Sequence, residues 1–337
     1  MNVLKHQYTD DICNRRIAVL GPTPPPLGGV SVHVQRVIAK LKKQANHVIH
    51  FNTCREFRYR FFYVYLLHLF YFLMKYKPHE LHLHTLYLSN GLRELRFIVW
   101  LKKILTFDVV LIEHDCRYLY KQSKDWKDSL NRLMPYIQKH IYIGSRTAQS
   151  YQQSSIMPAR ITTIESAFLP PDEKREKAII QTYPKEIFNF IAEHDHLLLG
   201  NAFALSLIDG KDLYGFDQSI DALSQLRKKD MHVGLIFVLG QMGDKDYFAQ
   251  CMQRIEQLEL QNHIYILSGQ KELWPLLKKV DVFVRPTLSD GASVSIEEAL
   301  WCGKPVVTTD VCWRPKEALL FKSGDVNDFV RALSQLF

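Results

Sequence analysis

Short apolar runs alternate with longer amphipathic segments along most of the chain, and the pattern occurs once in each half. The short runs have the length of buried strands and the longer segments have helical periodicity. Strands that alternate with helices form parallel sheets covered on both faces. The two rounds therefore predict an α/β protein with two doubly wound, Rossmann-like domains. Its strands are predicted at 15–21, 47–52, 80–85, 108–114, 140–144 and 160–165, and again at 196–203, 232–240, 263–269, 281–286 and 304–309.

Helix-like segments fall between these strands, and one stretch between the two rounds breaks the pattern. Residues 168–188 combine a Pro-Pro pair with a run of charges, which is typical of a linker. We therefore expect an N-terminal domain over 1–170, a linker over 171–195 and a C-terminal domain over 196–337. Ligands of open α/β sheets bind beyond the carboxyl ends of the strands, so the domains are expected to face each other across a central substrate cleft. The predicted helices cover residues 30–43, 87–104, 217–229, 245–258, 273–279, 293–302 and 325–336.

The composition, with 47% hydrophobic and 23% charged residues in 337, is that of a soluble globular protein. Six cysteines are scattered without a C-x-x-C pair, which fits a reducing compartment and argues against a zinc ribbon or a disulfide scaffold. The first residues lack the apolar core of a signal peptide, so none is expected.

The charge is distributed unevenly between the two halves. Residues 1–170 contain 24 Lys and Arg against 11 Asp and Glu, a net charge of +13, whereas residues 171–337 contain 19 against 24, a net charge of −5. The basic half is expected to have an anionic partner, which can be a membrane surface, a phosphorylated substrate or nucleic acid.

A glycine pair follows the first predicted strand. Gly28 and Gly29 come after a proline-rich loop and directly before a predicted helix. Glycines at a helix N-terminus let backbone N–H groups approach an anion, and the helix dipole favours negative charge there. The stretch matches neither G-x-G-x-x-G nor a Walker loop. It is consistent with a phosphate cradle and equally with a strand–turn–helix corner that only needs glycine.

Two acids near the C-terminus occupy a similar place in the second half. Asp290 lies in the loop that follows a predicted strand, and Glu298 lies in the next predicted helix. A carboxylate can accept two hydrogen bonds from a vicinal diol on a ribose or a sugar ring. The amides of Gly291, Ala292 and Ser293 suit a phosphate or a sugar edge. A solvated acidic loop is the alternative, but a position beyond a strand's carboxyl end favours a binding site.

The stretch from Asp290 to Val306, D-x7-E-A-L-x-x-G-x-P-V, resembles the signature of glycosyltransferase family 4, whose members are retaining enzymes of the GT-B fold. GPTPPPLGGVSVHV resembles the family's N-terminal glycine loop. KPHELHLHTL, VVLIEHD, YGFDQSIDAL, LIFVLGQMGD and VDVFVRPT are similar to family segments in order and spacing. The resemblance covers roughly residues 15–330, and only the C-terminal signature is fairly specific.

The resemblance implies roles for individual residues. Glu298 matches the glutamate that binds the donor ribose, and Asp290 matches the acid that holds donor-sugar hydroxyls. Gly28 and Gly29 match the loop against the donor diphosphate, and His114 matches the histidine near the reacting centre. Without the resemblance, a histidine at a strand end is more often a core residue than a catalyst.

The sequence departs from the family at three points. Asp290 stands where Glu is usual, Tyr214 replaces the Lys of a Lys-Gly pair, and the Arg that usually precedes that pair is missing after LLLGNAF. Both missing cations bind the diphosphate in the family, so Lys211 or Arg285 is expected to supply the charge. These departures also keep open a non-catalytic protein that binds a nucleotide sugar.

Three other patterns resemble metal sites. His82 and His84 alternate on one strand without an apparent third ligand, so we interpret them as structural. Asp244 and Asp246 form a D-x-D, but Asp244 precedes a predicted helix and is interpreted as its N-cap. His194-Asp195-His196 forms an H-x-H. We expect no metal and no cofactor, because a GT-B enzyme can neutralise the leaving diphosphate with cations and a helix dipole.

Residues 54–78 are dense in aromatic side chains, and their uninterrupted apolar core, 61–74, has 14 residues. That is short of the ~20 needed to span a bilayer. Basic residues at both ends suit a helix that lies in the interface of an anionic membrane. The alternative is a helix packed on the first sheet with its polar side-chain tips outward. We expect one part of the helix to pack on the sheet and another part to contact lipid. Single-stranded nucleic acid is the rival partner. No nucleic-acid-binding motif is visible, so nucleic acid is not expected.

Together with these features, the family resemblance implies a retaining glycosyltransferase of bacterial type, and the pathway rests on the resemblance alone. It would move a sugar from a nucleotide diphosphate sugar to a lipid-linked or polysaccharide acceptor in O-antigen, capsule or lipopolysaccharide synthesis, as a cytoplasmic protein peripheral at the inner face of the cell membrane. The alternatives are a non-catalytic nucleotide-sugar-binding partner subunit and a GT-B nucleotide-sugar epimerase.

Overall fold

The chain divides into two compact units, Met1–Leu169 and Pro170–Phe337. The computed structural model describes residues 14–44, 46–53, 61–88, 90–115, 117–229, 231–290 and 293–337. Each unit contains its own parallel sheet of six strands with helices between successive strands. This arrangement confirms the prediction of two Rossmann-like units.

The first unit has the strand order β2-β1-β3-β4-β5-β6, all parallel. Four consecutive residues of β1, from Ile17 to Leu20, are fully buried, so both faces of this strand are covered because successive side chains point to opposite sides. The strands are β1 (Arg16–Gly21), β2 (His47–Asn52), β3 (Glu80–Leu83), β4 (Asp108–Glu113), β5 (Lys139–Ile143) and β6 (Ile161–Glu165), and the α-helices are α1 (Gly29–Lys43), α2 (Phe62–Tyr76), α3 (Gly91–Leu101), α4 (Lys124–Asn131) and α5 (Ser145–Gln153).

The second unit has the order β11-β10-β7-β12-β13-β14 in its large sheet, and β8 and β9 form a short antiparallel hairpin. Neighbouring residues of β7 belong to two different cores, Leu198 to one and Leu197 and Leu199 to the other, so this sheet is also covered on both faces. The elements are α6 (Glu176–Ile180), α7 (Glu186–Ala192), β7 (His196–Leu205), β8 (Leu207–Ile208), β9 (Lys211–Asp212), α8 (Phe216–Arg227), β10 (Val233–Gly243), α9 (Lys245–Gln257), β11 (Ile264–Ser268), α10 (Trp274–Leu277), β12 (Val282–Arg285), α11 (Val294–Trp301), β13 (Val306–Thr309), β14 (Leu319–Phe321) and α12 (Val326–Leu333).

The segment predicted as a linker, residues 171–195, is folded into the second unit. Its helices α6 and α7, with the turn between them that carries Tyr183, place Ile179, Tyr183, Ile187 and Phe190 in the same core as Leu199 and Trp274. The charge run that suggested a linker forms ion pairs at the surface of this unit, for example between Glu176 and Lys278. The spacing of three to four residues between these four buried side chains is helical, and it outweighs the Pro-Pro pair.

Helix α3 begins at Gly91, four residues later than the pattern predicted. Residues 86–88 form a turn instead, and an added Cβ at Gly91 would lie 2.3 Å from the carbonyl oxygen of Leu86. This turn places residues 84–88 at the carboxyl end of β3.

Among the described residues, no helix combines the length and the apolar character needed to cross a bilayer.

Candidate functional site

The loop after β12 is fixed at the carboxyl edge of the second sheet by threonine hydroxyls. Thr287 Oγ1 donates to the carbonyl oxygen of Leu213 at 2.6 Å, and Thr309 Oγ1 on β13 donates to the carbonyl oxygen of Thr287 at 2.7 Å. The backbone N–H of Leu288 donates to the Leu213 carbonyl as well, at 2.9 Å. The loop that carries Asp290 is thereby tied to the turn before α8.

Asp290 lies between two arginines. Its Oδ2 accepts hydrogen bonds from Arg285 Nε at 3.2 Å and from Arg314 Nη1 at 3.0 Å. The side chains are 12% exposed for Asp290, 10% for Arg285 and 2% for Arg314. Burial alone would raise the pKa of the Asp290 carboxyl, but the two guanidinium groups hold this pKa below its usual range. Asp290 is therefore a buried carboxylate with a local excess of one positive charge.

Arg285 contacts two segments near the positions at which the family pattern has its cations. Its Nη1 donates to the backbone oxygen of Asn201 at 3.0 Å and to Asn201 Oδ1 at 3.2 Å, and its guanidinium lies 5.0 Å from the ring centroid of Tyr214. Asn201 lies in the LLLGNAF strand, and Tyr214 stands at the Lys position of the family. A cation from β12 thus lies against the tyrosine at the family's lysine position and against the strand that precedes that turn.

The turn at Tyr214 is rigid because its backbone approaches another loop closely. Gly215 has a φ of +69°, and an added Cβ there would lie 2.0 Å from the carbonyl oxygen of Pro286. Asp212 is buried and accepts from the backbone N–H of Tyr214 and Phe216 at 2.9 and 2.7 Å. This geometry explains why glycine persists at 215 although the lysine before it is absent.

Arg314 was not predicted from the sequence. Its Nε donates to the carbonyl oxygen of Thr309 at 3.1 Å, and its Nη2 is buried without a hydrogen-bond partner in the described part of the chain. An unsatisfied buried N–H of a charged group is costly, so this atom is a candidate donor to a bound anion or hydroxyl. The position, five residues beyond the end of β13 at the same sheet edge as Asp290, was the sequence signal that could have identified it.

Glu298 is buried on α11, with 6% of its surface exposed. Ser293 is the N-cap of this helix, and its hydroxyl lies 3.2 Å from that of Ser295 rather than capping the backbone.

Lys211 is exposed in β9, which is unlike a residue of an enclosed anion site. Gly291 and Ala292 lie outside the described residues.

In the first unit, the glycine pair leaves the start of α1 open. Gly28 is the N-cap in extended backbone, with a φ of −141° that any residue adopts. An added Cβ at Gly29 would meet no atom within 4 Å, and one at Gly28 only Ser31 Oγ at 3.9 Å. Neither the backbone nor the local packing requires glycine here, which favours the interpretation as an anion-binding loop over that of a tight corner.

His114 belongs to a cluster of histidines at the carboxyl ends of β3 and β4. His84 Nδ1 lies 2.9 Å from His114 Nε2, and the rings of His33 and His114 meet edge-on at 4.9 Å. His33 Nδ1 donates to the carbonyl oxygen of Ala167 at 2.9 Å. Burial lowers the pKa of His33 to about 4, and burial with neighbouring histidines holds the pKa of His84 and His114 well below the usual range. The three rings are therefore neutral at neutral pH.

The contact between His84 and His114 fixes which nitrogen of His114 carries the proton. His84 Nε2 is buried without a partner in the described part of the chain. If His114 Nε2 donated to His84 Nδ1, a neutral His84 would carry its proton on Nε2. That N–H would be buried and unpaired, which is rarer in proteins than an unpaired acceptor. The contacts thus favour donation from His84 Nδ1, with the His114 proton on Nδ1. His114 can then donate a hydrogen bond from that atom.

In each of the three metal-like patterns, one side chain has a structural contact. His82 is fully buried, and its Nε2 lies 3.1 Å from Glu80 Oε2, so it is held by an acid within the sheet. Asp244 caps α9 by accepting from the backbone N–H of Tyr247 at 3.0 Å, which confirms its prediction as an N-cap. His194, from the H-x-H pattern, bonds to the Phe190 carbonyl at 2.9 Å. Within the described ranges, no three His, Cys, Asp or Glu side chains are grouped closely enough to hold a metal ion.

Known proteins match the second unit by a family model and nearly the whole chain by structure. Residues 206–337 match the family model described as glycosyl transferases group 1. Over 147 residues the chain is 31% identical to the lipopolysaccharide glucosyltransferase WaaG of Escherichia coli (strain K12), an alignment that covers 42% of this chain and 36% of that relative. The chain therefore spans about a third of the length of this curated relative.

Solved structures match nearly the whole chain. Anabaena Alr3699/HepE, in complex with UDP and glucose, is 16% identical with a TM-score of 0.64, over 96% of this chain and 89% of that chain. A glycosyltransferase from Rickettsia africae ESF-5 is 15% identical with a TM-score of 0.67, over 96% and 88%. At such low identity the likeness establishes the fold alone. The chain has the GT-B fold with two Rossmann-like units, and its residues 206–337 match the glycosyl transferases group 1 model.

Proposed function

We propose that this chain is a retaining, metal-independent glycosyltransferase of family 4. It moves a sugar from a nucleotide diphosphate sugar to a lipid-linked or polysaccharide acceptor in bacterial surface-glycan synthesis. The observation that carries the proposal is a pair of carboxylates, the largely buried Asp290 and the buried Glu298, positioned by the loop after β12 and by α11 within the region that matches the group 1 model. The lipopolysaccharide glucosyltransferase among the relatives supports the pathway.

Each group has a part in the proposed chemistry. Glu298 accepts hydrogen bonds from the ribose hydroxyls, and Asp290 accepts them from the donor sugar. The excess positive charge of Arg285 and Arg314 around Asp290 stabilises the diphosphate as it leaves, and the unpaired Nη2 of Arg314 donates to it. In the first unit, His114 donates from Nδ1 to a substrate hydroxyl, and the backbone of the glycine pair at the start of α1 binds an anionic group through the Gly29 amide, since the Gly28 amide donates to Ser31 Oγ.

A non-catalytic protein that binds a nucleotide sugar is the second candidate. The observation that favours it is Tyr214, which stands where the family has a diphosphate-binding lysine, while Arg285 is engaged by Asp290 and Asn201. Both candidates bind a nucleotide, and only the first consumes the donor.

The function is tested by nucleotide binding followed by donor turnover. Thermal unfolding is measured with UDP, GDP, dTDP and CMP, with UDP first because HepE was crystallised with it. A ligand at about 100 times its Kd is expected to add about 2.7 kcal/mol to the unfolding free energy. The sugar nucleotides of the stabilising base are then incubated, radiolabelled in the sugar, with the protein and a bacterial lipid extract.

We expect one nucleotide to stabilise the protein and label to enter the lipid or polysaccharide fraction. Binding without any loss of donor would favour the non-catalytic candidate. Loss of donor with an altered sugar that stays on the nucleotide would indicate an epimerase. A protein that no nucleotide stabilises would refute the proposal.

We further propose that the protein is cytoplasmic and binds the inner face of the cell membrane through helix α2. The buried stripe of this helix is Tyr65, Leu69 and Leu73, which confirms that part of the segment packs on the first unit. The opposite face is apolar and exposed, with Tyr63 79%, Leu67 66% and Tyr71 65% exposed. Lys75 and Lys77 are exposed near its C-terminal end, and the basic residues at 55, 58 and 60 lie outside the described residues. Such a face with cationic flanks suits the interface of an anionic bilayer.

The double variant Leu67→Glu/Tyr71→Glu is expected to bind phosphatidylglycerol vesicles at least tenfold more weakly, since burying each side chain contributes about 1.5–3 kcal/mol. The measurement is vesicle co-sedimentation at low salt. Ile104→Glu/Ile164→Glu is the charge-matched control, because both isoleucines are exposed elsewhere on the same unit. Equal loss in the two variants would indicate a general charge effect and contradict a role for α2.

A further inference from the structure

A second concave site lies wholly within the first unit. A pocket of about 480 Å³ is lined by residues of the turn after β3, the first turns of α3, and the segment from Tyr118 to Ser129 that follows β4. Its volume is within the range of small-molecule pockets, which is roughly 300–1,000 Å³. It lies at the carboxyl ends of β3 and β4, where open α/β sheets bind their ligands.

One wall of the pocket carries two arginines without acidic partners. Arg93 and Arg96 are exposed, lie three residues apart on α3, and form no ion pair with any described residue. The acid between them, Glu94, is buried and engaged by Tyr65 and Thr85. Like charges at this spacing destabilise a helix, so an anionic ligand would relieve a repulsion that the protein itself leaves in place. The dipole of α3, whose N-terminus lines the pocket, acts in the same direction.

The opposite wall is suited to a sugar ring. Trp126 and Tyr118 are packed edge to face at 5.8 Å, and both line the pocket with part of their surface exposed. Aromatic side chains provide apolar faces for the C–H groups of a sugar, while Asp125, Gln122 and Asn90 supply acceptors and donors for its hydroxyls. The combination of a cationic wall and an aromatic wall fits a sugar that carries a phosphate.

The pocket adjoins the candidate reacting centre. Tyr87 lines the pocket, and its ring centroid lies 6.5 Å from that of His114. A ligand on Tyr87 would thus lie next to the histidine cluster of the same unit, whereas the nucleotide-binding residues proposed above are in the other unit.

We propose that this pocket is the acceptor subsite and that it selects a phosphorylated sugar, with the phosphate on Arg93 and Arg96 and the ring against Trp126. The inference rests on the proposed function, since it specifies the chemical class of the acceptor. A second phosphate site of this kind is independent of the donor, so the phosphosugar binds without nucleotide.

The test compares phosphorylated and unphosphorylated ligands on the full chain, without nucleotide, by isothermal titration calorimetry at low salt. The probes are glucose 6-phosphate, mannose 6-phosphate, the two parent hexoses and inorganic phosphate. At least one hexose phosphate is expected to bind at least tenfold more tightly than its parent hexose and than inorganic phosphate. Arg93→Gln/Arg96→Gln is expected to remove the preference over the hexose, and Trp126→Ala the preference over inorganic phosphate.

Arg132→Gln/Arg160→Gln is the matched control, because both arginines are exposed on the same unit and lie outside the pocket. This variant is expected to keep the full preference. Equal affinity of wild type for phosphorylated and unphosphorylated sugars would overturn the inference, as would an equal loss in the control variant. UDP binding, measured on the same four proteins, distinguishes the two proposals: normal UDP binding without phosphosugar selectivity overturns the acceptor subsite only, and a protein that binds phosphosugar but no nucleotide contradicts the transferase.

Discussion

Replacement of Asp290 by alanine is expected to lower the unfolding free energy of the second unit by about 3–5 kcal/mol, the usual cost of removing one partner from a buried ion cluster. The variant leaves Arg285 and Arg314 buried without their carboxylate. Arg314 has the most to lose, because its Nη2 has no partner in the described part of the chain and Nη1 would lose Asp290. The measurement is urea unfolding followed by tryptophan fluorescence in a background with Trp100→Phe and Trp126→Phe, which leaves tryptophans only in the second unit.

Asp221→Ala is the control for this effect. Asp221 accepts from Arg254 Nε at 2.6 Å, but this pair is exposed, with 50% of the arginine side chain and 27% of the aspartate side chain accessible. Removing an exposed pair costs about 0–1 kcal/mol. A loss of this small size in Asp290→Ala would show that water compensates the two arginines and that the cluster around Asp290 is not a buried one.

The pH dependence gives an independent check on Asp290. Its folded pKa lies below the ordinary value of 3.8, so its contribution to stability is fully present above that value and is lost as the pH falls through the folded pKa. Protonation of wild type removes the negative charge between the two arginines, as alanine does. The stabilities of wild type and Asp290→Ala are therefore expected to converge as the solution is acidified, whereas a constant gap would contradict the ion-pair explanation.

The sequence pattern predicts the strands well because most of them are buried on both faces. A run such as Ile17 to Leu20, fully buried throughout, must be apolar at every position and stands out against its surroundings. The short elements were not predicted. β14 has three residues and β8 and β9 two each, so they carry no period and depend on their neighbours for formation.

In the candidate site, too, residues close in sequence could be predicted, whereas contacts between distant residues could not. Asp290 and Glu298 share one loop–helix segment, so their spacing was visible in the sequence. The contacts of Asp290 were not, because Arg314 lies 24 residues away and reaches it only because β12 and β13 are neighbours in the sheet. Likewise, the contact of His84 with His114 depends on the pairing of β3 with β4.

The sequence offered Lys211 or Arg285 as the source of the missing cation, and the structure places Lys211 in an exposed hairpin. Arg285 lies against one altered position, Tyr214, and against Asn201 in the strand that precedes the other. The arginine thus lies on the ring of the tyrosine that stands at the family's lysine position. These contacts involve two different strands and a turn, so they are invisible to a comparison of one position at a time.

Glu298→Ala is expected to weaken UDP binding by about 100-fold or more, because each hydrogen bond to a charged group contributes about 1.5–3 kcal/mol and a ribose diol forms two. Glu297→Ala is the matched control: it removes the same group from the neighbouring position of α11, where the side chain is partly exposed. Binding is measured by calorimetry for both variants and for wild type, and thermal unfolding without ligand checks that each variant is folded.

The decisive comparison is between UDP and 2′-deoxy-UDP on wild type and Glu298→Ala. If the carboxylate holds the ribose, wild type loses affinity when the 2′-hydroxyl is removed, whereas the variant has already lost that interaction and binds both nucleotides alike. The two changes are then non-additive, as expected for groups in direct contact. Additive effects would mean that Glu298 acts on binding without contacting the ribose. Its side chain, 6% exposed, would then act through the packing of α11. In that case the alignment of this glutamate with the family's ribose-binding residue would be wrong, although the fold would be unaffected.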